Sequence, residues 1–214
     1  MPQTVVHLTH IVYDSDDGLW GALMAHITLA PLCIAVGLPA FFLARRELQT
    51  LYFVLGHGVN EVLNLLLKYS IREPRPAGSP KYGFGMPSSH AQFMFFFATY
   101  FTLLLVTSNL SLGVALPRGL PLRAAAVWTI FLGAVVVSYT RIFLGVHTWA
   151  QVIVGAMVGA MTAVVWYAAM VRIVRPRIFP WLQTLSISRC FYIKDNSHVP
   201  NVLEFEFRNA KKGR

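Results

Sequence analysis

Five long apolar runs, separated by polar stretches, dominate the hydropathy pattern of this chain. The first, Ala22 to Leu43, is interrupted only by His26, Thr28 and two prolines. The others are Thr50 to Leu67, Ala91 to Thr107, about Ala124 to Tyr139 and about Trp149 to Val171. In hydrocarbon every backbone N–H and C=O must be paired within its own segment, so such runs predict transmembrane helices. The expected fold is all-α: a polytopic membrane helix bundle with about five transmembrane helices. Residues 1–175 would form one membrane-embedded domain, and residues 176–214 a basic tail with no further span. Residues 1–20 hold no Lys or Arg, only Asp14, Asp16 and Asp17, which suits an acidic exposed end better than a cleaved signal peptide.

Composition narrows the class. The chain is 56% hydrophobic and only 13% charged, with a mean hydropathy of +0.56. A soluble domain of 214 residues would lack the polar surface to cover itself. The formal charge of +9 does not signal nucleic acid, because the cations sit beside the apolar runs and no nucleic-acid motif accompanies them. Cys33 and Cys190 suggest neither a disulfide framework nor a metal site.

The second run is too polar to face lipid all round. His57, Asn60, Glu61, Asn64 and Lys68 fall on one helical face, which should look into the bundle or a wet cavity. Asn60 and Asn64 fit a structural hydrogen-bond network as well as a catalytic role, whereas Lys68, at the end of the stripe, favours function. In the fifth run, Gly155, Ala156, Gly159, Ala160 and Ala163 suit close packing between helices rather than a dimer face.

Between the second and third runs lies the longest polar stretch, Lys68 to His90. It carries Lys68, Arg72, Arg75 and Lys81 against one acid, Glu73, and closes on Pro87-Ser88-Ser89-His90 as the next apolar run starts. Cations, the planar fork of an arginine, and hydroxyls and amides at a helix start are the chemistry that binds phosphate. An ordinary basic loop beside a membrane would also read this way. Five spans decide what faces what. The 68–90 loop, the 140–148 turn with Arg141 and His147, and the N-terminus share one side; Arg45, Arg46, the 108–123 loop and the tail share the other. Of the 18 Lys and Arg residues, five (Lys68, Arg72, Arg75, Lys81, Arg141) fall on the first side and 13 on the second. The positive-inside rule then makes the tail side cytosolic and the loop side lumenal or exterior.

Lys68, six residues, then Arg75-Pro76; Pro87-Ser88-Ser89-His90; and Arg141, five residues, then His147 together resemble the three-part signature of the type 2 phosphatidic acid phosphatase superfamily. Within it, KYGFGMPSSHAQFMFFF and GVHTWAQVIVG are similar to the dolichyldiphosphatase branch, and the likeness covers about residues 10–175. The resemblance implies His147 as the nucleophile that becomes a phosphohistidine, and His90 as the acid that protonates the leaving oxygen and later activates water. It implies Lys68, Arg75 and Arg141 as the phosphate grip, assisted by Ser88 and Ser89, with no metal or other cofactor. The chain departs from the pattern at Gln151, where the superfamily has an acid four residues after the second histidine, and at Ser89, where many relatives have Gly. A glutamine there can orient His147 and fix its tautomer, but brings no full charge. Glu61 is a weak substitute, since it lies about 10 Å from Lys68 along the helix.

The implied substrate is a polyisoprenoid diphosphate lipid, dolichyl diphosphate, cleaved at a lumenal site of the endoplasmic reticulum to dolichyl phosphate and phosphate, in support of dolichol recycling for N-glycosylation. The alternatives are a phosphatidate or sphingoid-phosphate phosphatase and a silent scaffold that binds anionic lipid. The chain ends Lys211-Lys212-Gly213-Arg214, which resembles the dilysine retrieval signal of the endoplasmic reticulum.

Overall fold

The five apolar runs are helical in the computed structural model, which describes residues 3–6, 11–107, 120–199 and 202–212. A short antiparallel hairpin, β1 (Gln3–Val6) and β2 (Ile11–Asp14), precedes a 3-10 turn at Ser15–Asp17. Then follow α1 (Gly18–Ile27), α2 (Ala30–Arg45), α3 (Leu48–Ile71), α4 (Ser89–Val106), α5 (Leu120–Phe143) and α6 (Trp149–Ala169). Beyond α6 the chain continues through a π-helical segment, Met170–Ile178, into α7 (Phe179–Thr184), α8 (Ser186–Cys190) and α9 (Val202–Lys212). Residues 15–45, 48–71, 89–106, 121–143 and 149–184 are long and apolar enough to cross a membrane. The protein is a polytopic membrane helix bundle with five such spans among the described residues.

Several boundaries differ from the sequence reading, and each difference matters for the site. Helix α3 runs on to Ile71 and ends where Arg72 adopts φ 56°, so Lys68 sits in its last turn instead of opening a loop. Helix α4 starts at Ser89, which puts His90 in its first turn, and α5 extends to Phe143, which puts Arg141 in its last. The fifth span does not stop near Val171. A wider π turn around Pro176, which has no N–H to donate, lets the helix continue to Thr184. The expected 108–123 loop is described only from residue 120.

Helix α4 is the centre of the bundle, because small residues let α6 press against it. At Gly159 an added Cβ would lie 2.9 Å from the Gln92 carbonyl carbon, and at Gly155 one would lie 2.6 Å from the Ser88 oxygen. The expected packing role of the Gly-x-x-x-Gly pair is therefore met within the chain. Around this contact Phe53, Phe96, Tyr100, Leu104, Met170 and Phe179 form the main core. Phe53 stacks on Tyr100 with centroids 4.6 Å apart.

At the end remote from Lys68, the chain after α8 folds back on the α2–α3 turn. Leu48 N donates to Lys194 O at 3.0 Å and Lys194 N to Arg46 O at 2.9 Å. Arg45 bridges Glu206 of α9 (3.0 Å) and buried Glu47 (3.3 Å), and Lys194 pairs with Glu206 at 2.9 Å. The two ends of α3, about 35 Å apart at 1.5 Å per residue, thus carry the tail at one and the cationic loop at the other.

Candidate active site

The polar face of α3 divides in two. Asn60 and Asn64 turn to α4 and are almost fully buried. Asn64 donates to Gln92 Oε1 at 2.7 Å and to Pro87 O at 3.3 Å, while Gln92 Nε2 donates to Asn60 O at 2.8 Å. These amides are structural: they lock α3 to α4 and hold Pro87, three residues before His90. His57 and Glu61 instead line a cavity of about 460 Å³ between α2, α3 and α4. Its wall is mainly Pro31, Leu32, Leu38, Val54 and Phe93, and Ser89 and His90 lie at it as well.

Helix α6 begins beside this cavity with a capping box that fixes the second histidine. Thr148 is the N-cap; its Oγ1 accepts from Gln151 N at 3.2 Å, and Gln151 Oε1 accepts from Thr148 N at 3.3 Å. The same oxygen lies 3.0 Å from His147 Nδ1. On its other side Gln151 Nε2 donates to Pro74 O at 2.8 Å and Glu73 Oε1 at 2.9 Å. A backbone N–H on one side and a backbone C=O on the other leave the amide a single orientation, so Oε1 is an acceptor and His147 Nδ1 carries the proton. Nε2 then holds the lone pair. It points to Arg75, whose Nη1 is 3.2 Å away and also donates to Val146 O at 2.9 Å.

The remaining predicted residues converge here. Arg141 is 2% exposed; its Nη1 donates to Thr28 Oγ1 at 2.6 Å and its carbonyl accepts from Val146 N and His147 N, which ties the cation to the backbone of His147. Lys68 feels the opposite charge of Glu61 and the like charges of Arg75 and Arg141, and the electrostatic neighbours of His90 are Arg141, Lys81, His147 and Lys68. Among the described residues, none of Lys68, Arg75, Lys81 and Arg141 is in an ion pair. Burial lowers Arg75, and lowers Lys81 with the help of Arg141, Arg75 and Lys68. Burial first, then Arg75 and Arg141, push His147 down to about 3, so its lone pair is free at neutral pH. Crowded cations with no ion-paired acid among the described residues, around an unprotonated imidazole, have the chemistry that suits a phosphate anion.

Ser88 is fully buried as the N-cap residue of α4, with its N–H given to Gln151 O at 2.9 Å and its hydroxyl unpaired in this structure. Its amide is therefore used between helices, and the open donors at the start of α4 are those of its first turn, Ser89 and His90. Among the described residues no group of His, Cys, Asp and Glu gathers to hold a metal ion.

Residues 49–175 match the PAP2 superfamily. The chain belongs to that superfamily. It is 40% identical over 208 residues to Dolichyldiphosphatase 1 of Rhinolophus ferrumequinum, across 94% of this chain and 86% of that protein. It is 38% identical over 214 residues to Lipid phosphate phosphatase gamma of Arabidopsis thaliana, across 98% of this chain and 92% of that protein. Its fold resembles a transmembrane PAP2-type phosphatidylglycerolphosphate phosphatase from Bacillus subtilis, with a TM-score of 0.57 at 23% identity, covering 75% of this chain and 81% of that one. This PAP2 protein is a phosphatase of the dolichyldiphosphatase branch.

Two residues beside the candidate site carry no role in the sequence analysis. Lys81 was counted among the cations of the loop side without a role, yet it neighbours His90. Glu73 was noted only as the loop's single acid. The Thr148-x-x-Gln151 spacing is a readable capping-box signal, but nothing in it points to an acid 78 positions earlier.

Proposed function

We propose that the protein hydrolyses dolichyl diphosphate to dolichyl phosphate and phosphate at a lumenal site of the endoplasmic reticulum, through a phosphohistidine on His147. Lys68, Arg75 and Arg141 grip the terminal phosphoryl group, with Ser88, Ser89 and the first-turn amides of α4 beside them. The Nε2 lone pair attacks phosphorus, the bond to the bridging oxygen breaks, and His90 gives that oxygen a proton as dolichyl phosphate leaves. His90 then takes a proton from water, whose oxygen attacks phosphorus; phosphate departs and the electron pair returns to Nε2. The observation that carries this reading is the Nε2 lone pair of His147, turned toward Arg75 at 3.2 Å among cations that form no ion pair among the described residues.

The polyisoprenoid chain is supported by the apolar cavity that reaches Ser89 and His90, and by the dolichyldiphosphatase relatives. The lipid phosphatase domain takes in residues 1–175 and the rest of the fifth span to Thr184, and the basic tail beyond it is cytosolic, a division supported by the excess of Lys and Arg on the tail side. Phosphate release by purified protein should be fastest with dolichyl diphosphate, and His147→Ala should abolish both turnover and any acid-labile phosphoenzyme while insertion persists. Faster release from phosphatidate or a sphingoid phosphate would favour the second reading, which the Arabidopsis relative's name supports. Unimpaired release by His147→Ala would remove the histidine mechanism. A protein that binds anionic lipid and releases nothing would be a scaffold.

A further inference from the structure

The acid that the superfamily pattern places four residues after the second histidine is absent at position 151, but a carboxylate is present one hydrogen bond further on. Glu73 Oε1 accepts from Gln151 Nε2 at 2.9 Å, and Gln151 Oε1 accepts from His147 Nδ1 at 3.0 Å. We propose that Glu73 is a positioning residue for phosphoryl transfer, acting through the Gln151 amide to hold the Nδ1 proton of His147 and to offset the charge of the phosphorylated imidazole. The inference rests on His147 being the nucleophile.

The surroundings favour a built relay over a chance contact. Gln151 is fully buried. Both of its polar ends are saturated, by Thr148 N and His147 on one side and by Glu73 and Pro74 O on the other. The loop is folded to present the acid: Gly85 N donates to Glu73 O at 2.7 Å, and Pro74 pairs with Phe84 as an antiparallel bridge. Gly85 leaves room for the amide itself, since a Cβ there would lie 2.6 Å from Gln151 Cδ and Nε2.

The chemistry gives Glu73 a task that geometry alone does not. When Nε2 gives its lone pair to phosphorus and the leaving oxygen takes the electrons of the broken bond, the ring keeps its Nδ1 proton and becomes cationic. It does so beside Arg75 and Arg141, which oppose a positive charge on His147. An amide whose N–H is bound to a carboxylate has a more negative carbonyl oxygen, so polarisation passes the anion's effect to Nδ1–H. Gln151 secures the tautomer and Glu73 supplies the charge.

Glu73→Gln keeps an acceptor for Gln151 and removes only the charge. Its kcat should fall about tenfold to a hundredfold, the range for lost outer partners of a reacting histidine, with KM within about twofold. Adding Gln151→Glu to that variant places a carboxylate directly on His147 and should recover most of the loss. In the otherwise unchanged protein Gln151→Glu alone sets two carboxyls in contact; they can share one proton, so kcat should decline as pH rises and that proton is lost. Wild-type kcat in Glu73→Gln overturns the relay, as does a double variant no faster than Glu73→Gln at equal thermal midpoint. If Glu73→Gln does not fold, the single Gln151→Glu variant decides, and a wild-type pH profile overturns the relay. Mass spectrometric mapping separates the two levels: phosphate on a residue other than His147 removes the underlying reading, whereas phosphohistidine at 147 with an indifferent Glu73 removes only this inference.

Discussion

Arg75 and His147 meet atom to atom: the guanidinium Nη1 stands 3.2 Å from Nε2, on the lone pair that the proposed reaction must use. In the free protein the proposed nucleophile is therefore held by one of the cations proposed to grip the phosphate. An incoming phosphoryl group offers Arg75 two oxygens in place of one nitrogen, and a charge in place of a neutral ring. Binding would draw Arg75 onto the anion and release the attacking atom in the same movement.

The first prediction follows from that contact. Arg75→Gln should lower kcat/KM about 10²- to 10³-fold, the scale for losing one donor to developing charge. It should also change the pH profile. Folding lowers the pKa of His147 from 6.5 to about 3, so the neutral nucleophile persists as pH falls below 6.5. Removing Arg75 takes away one of the charges that disfavour protonated His147 and should raise that pKa, so the acid limb of kcat/KM moves to higher pH relative to wild type with the same substrate. An unshifted limb would show that burial and Arg141 suffice. Stability follows the same sign: the depressed pKa costs nothing above pH 6.5 and disfavours the folded state progressively as pH falls toward 3.

Replacing His90 with Ala should slow turnover with dolichyl diphosphate by about 10²- to 10⁴-fold, as expected for loss of general acid–base help. A lipid phosphoryl substrate with a more acidic leaving group needs less protonation, so His90→Ala should lose less with it than with dolichyl diphosphate. Equal losses on both substrates would argue against the acid role.

The α4–α6 contact is expected to be intolerant of size. Gly159→Leu drives a side chain into the backbone of Gln92, which also bonds Asn60 and Asn64. Overpacking of this kind costs about 1–3 kcal/mol and should lower both the thermal midpoint in detergent and the activity. Gly133, where an added Cβ meets nothing within 4 Å, provides the comparison: Gly133→Ala should leave both nearly unchanged.

Topology has its own test. With a cytosolic tail, a tag placed after Arg214 should be digested by protease added to sealed microsomes, and Lys211→Ser with Lys212→Ser should let some protein reach the Golgi. A protected tag would place the site on the cytosolic side and overturn the lumenal assignment. Residues 213 and 214, which complete the dilysine spacing, lie outside the described residues.

Much of this protein was legible in its sequence because a bilayer makes local pattern decisive. An apolar run of fixed length must be a helix, and successive helices alternate direction, so the spacing of the runs alone set Lys68, Ser89, His90, Arg141 and His147 at one end. The structure brings those segments together, with Arg75 at 3.2 Å from His147 and Ser88 N on Gln151 O at 2.9 Å. The grouping of these segments at one end of the bundle needed no tertiary information.

What only the tertiary structure decided is which polar groups meet once the helices pack. Asn64 could have faced substrate or a neighbour; the close approach of α4 gave it to Gln92, 28 positions away. The fifth apolar run reads as ending near Val171, yet a wider turn around Pro176 carries the last span on to Thr184. Gln151 reads as a lost charge, and the folded loop returns one through Glu73. The reason is common to all three. Periodicity records the face on which a residue lies, whereas a hydrogen-bond partner is chosen by distances of about 3 Å between atoms that the chain order leaves far apart.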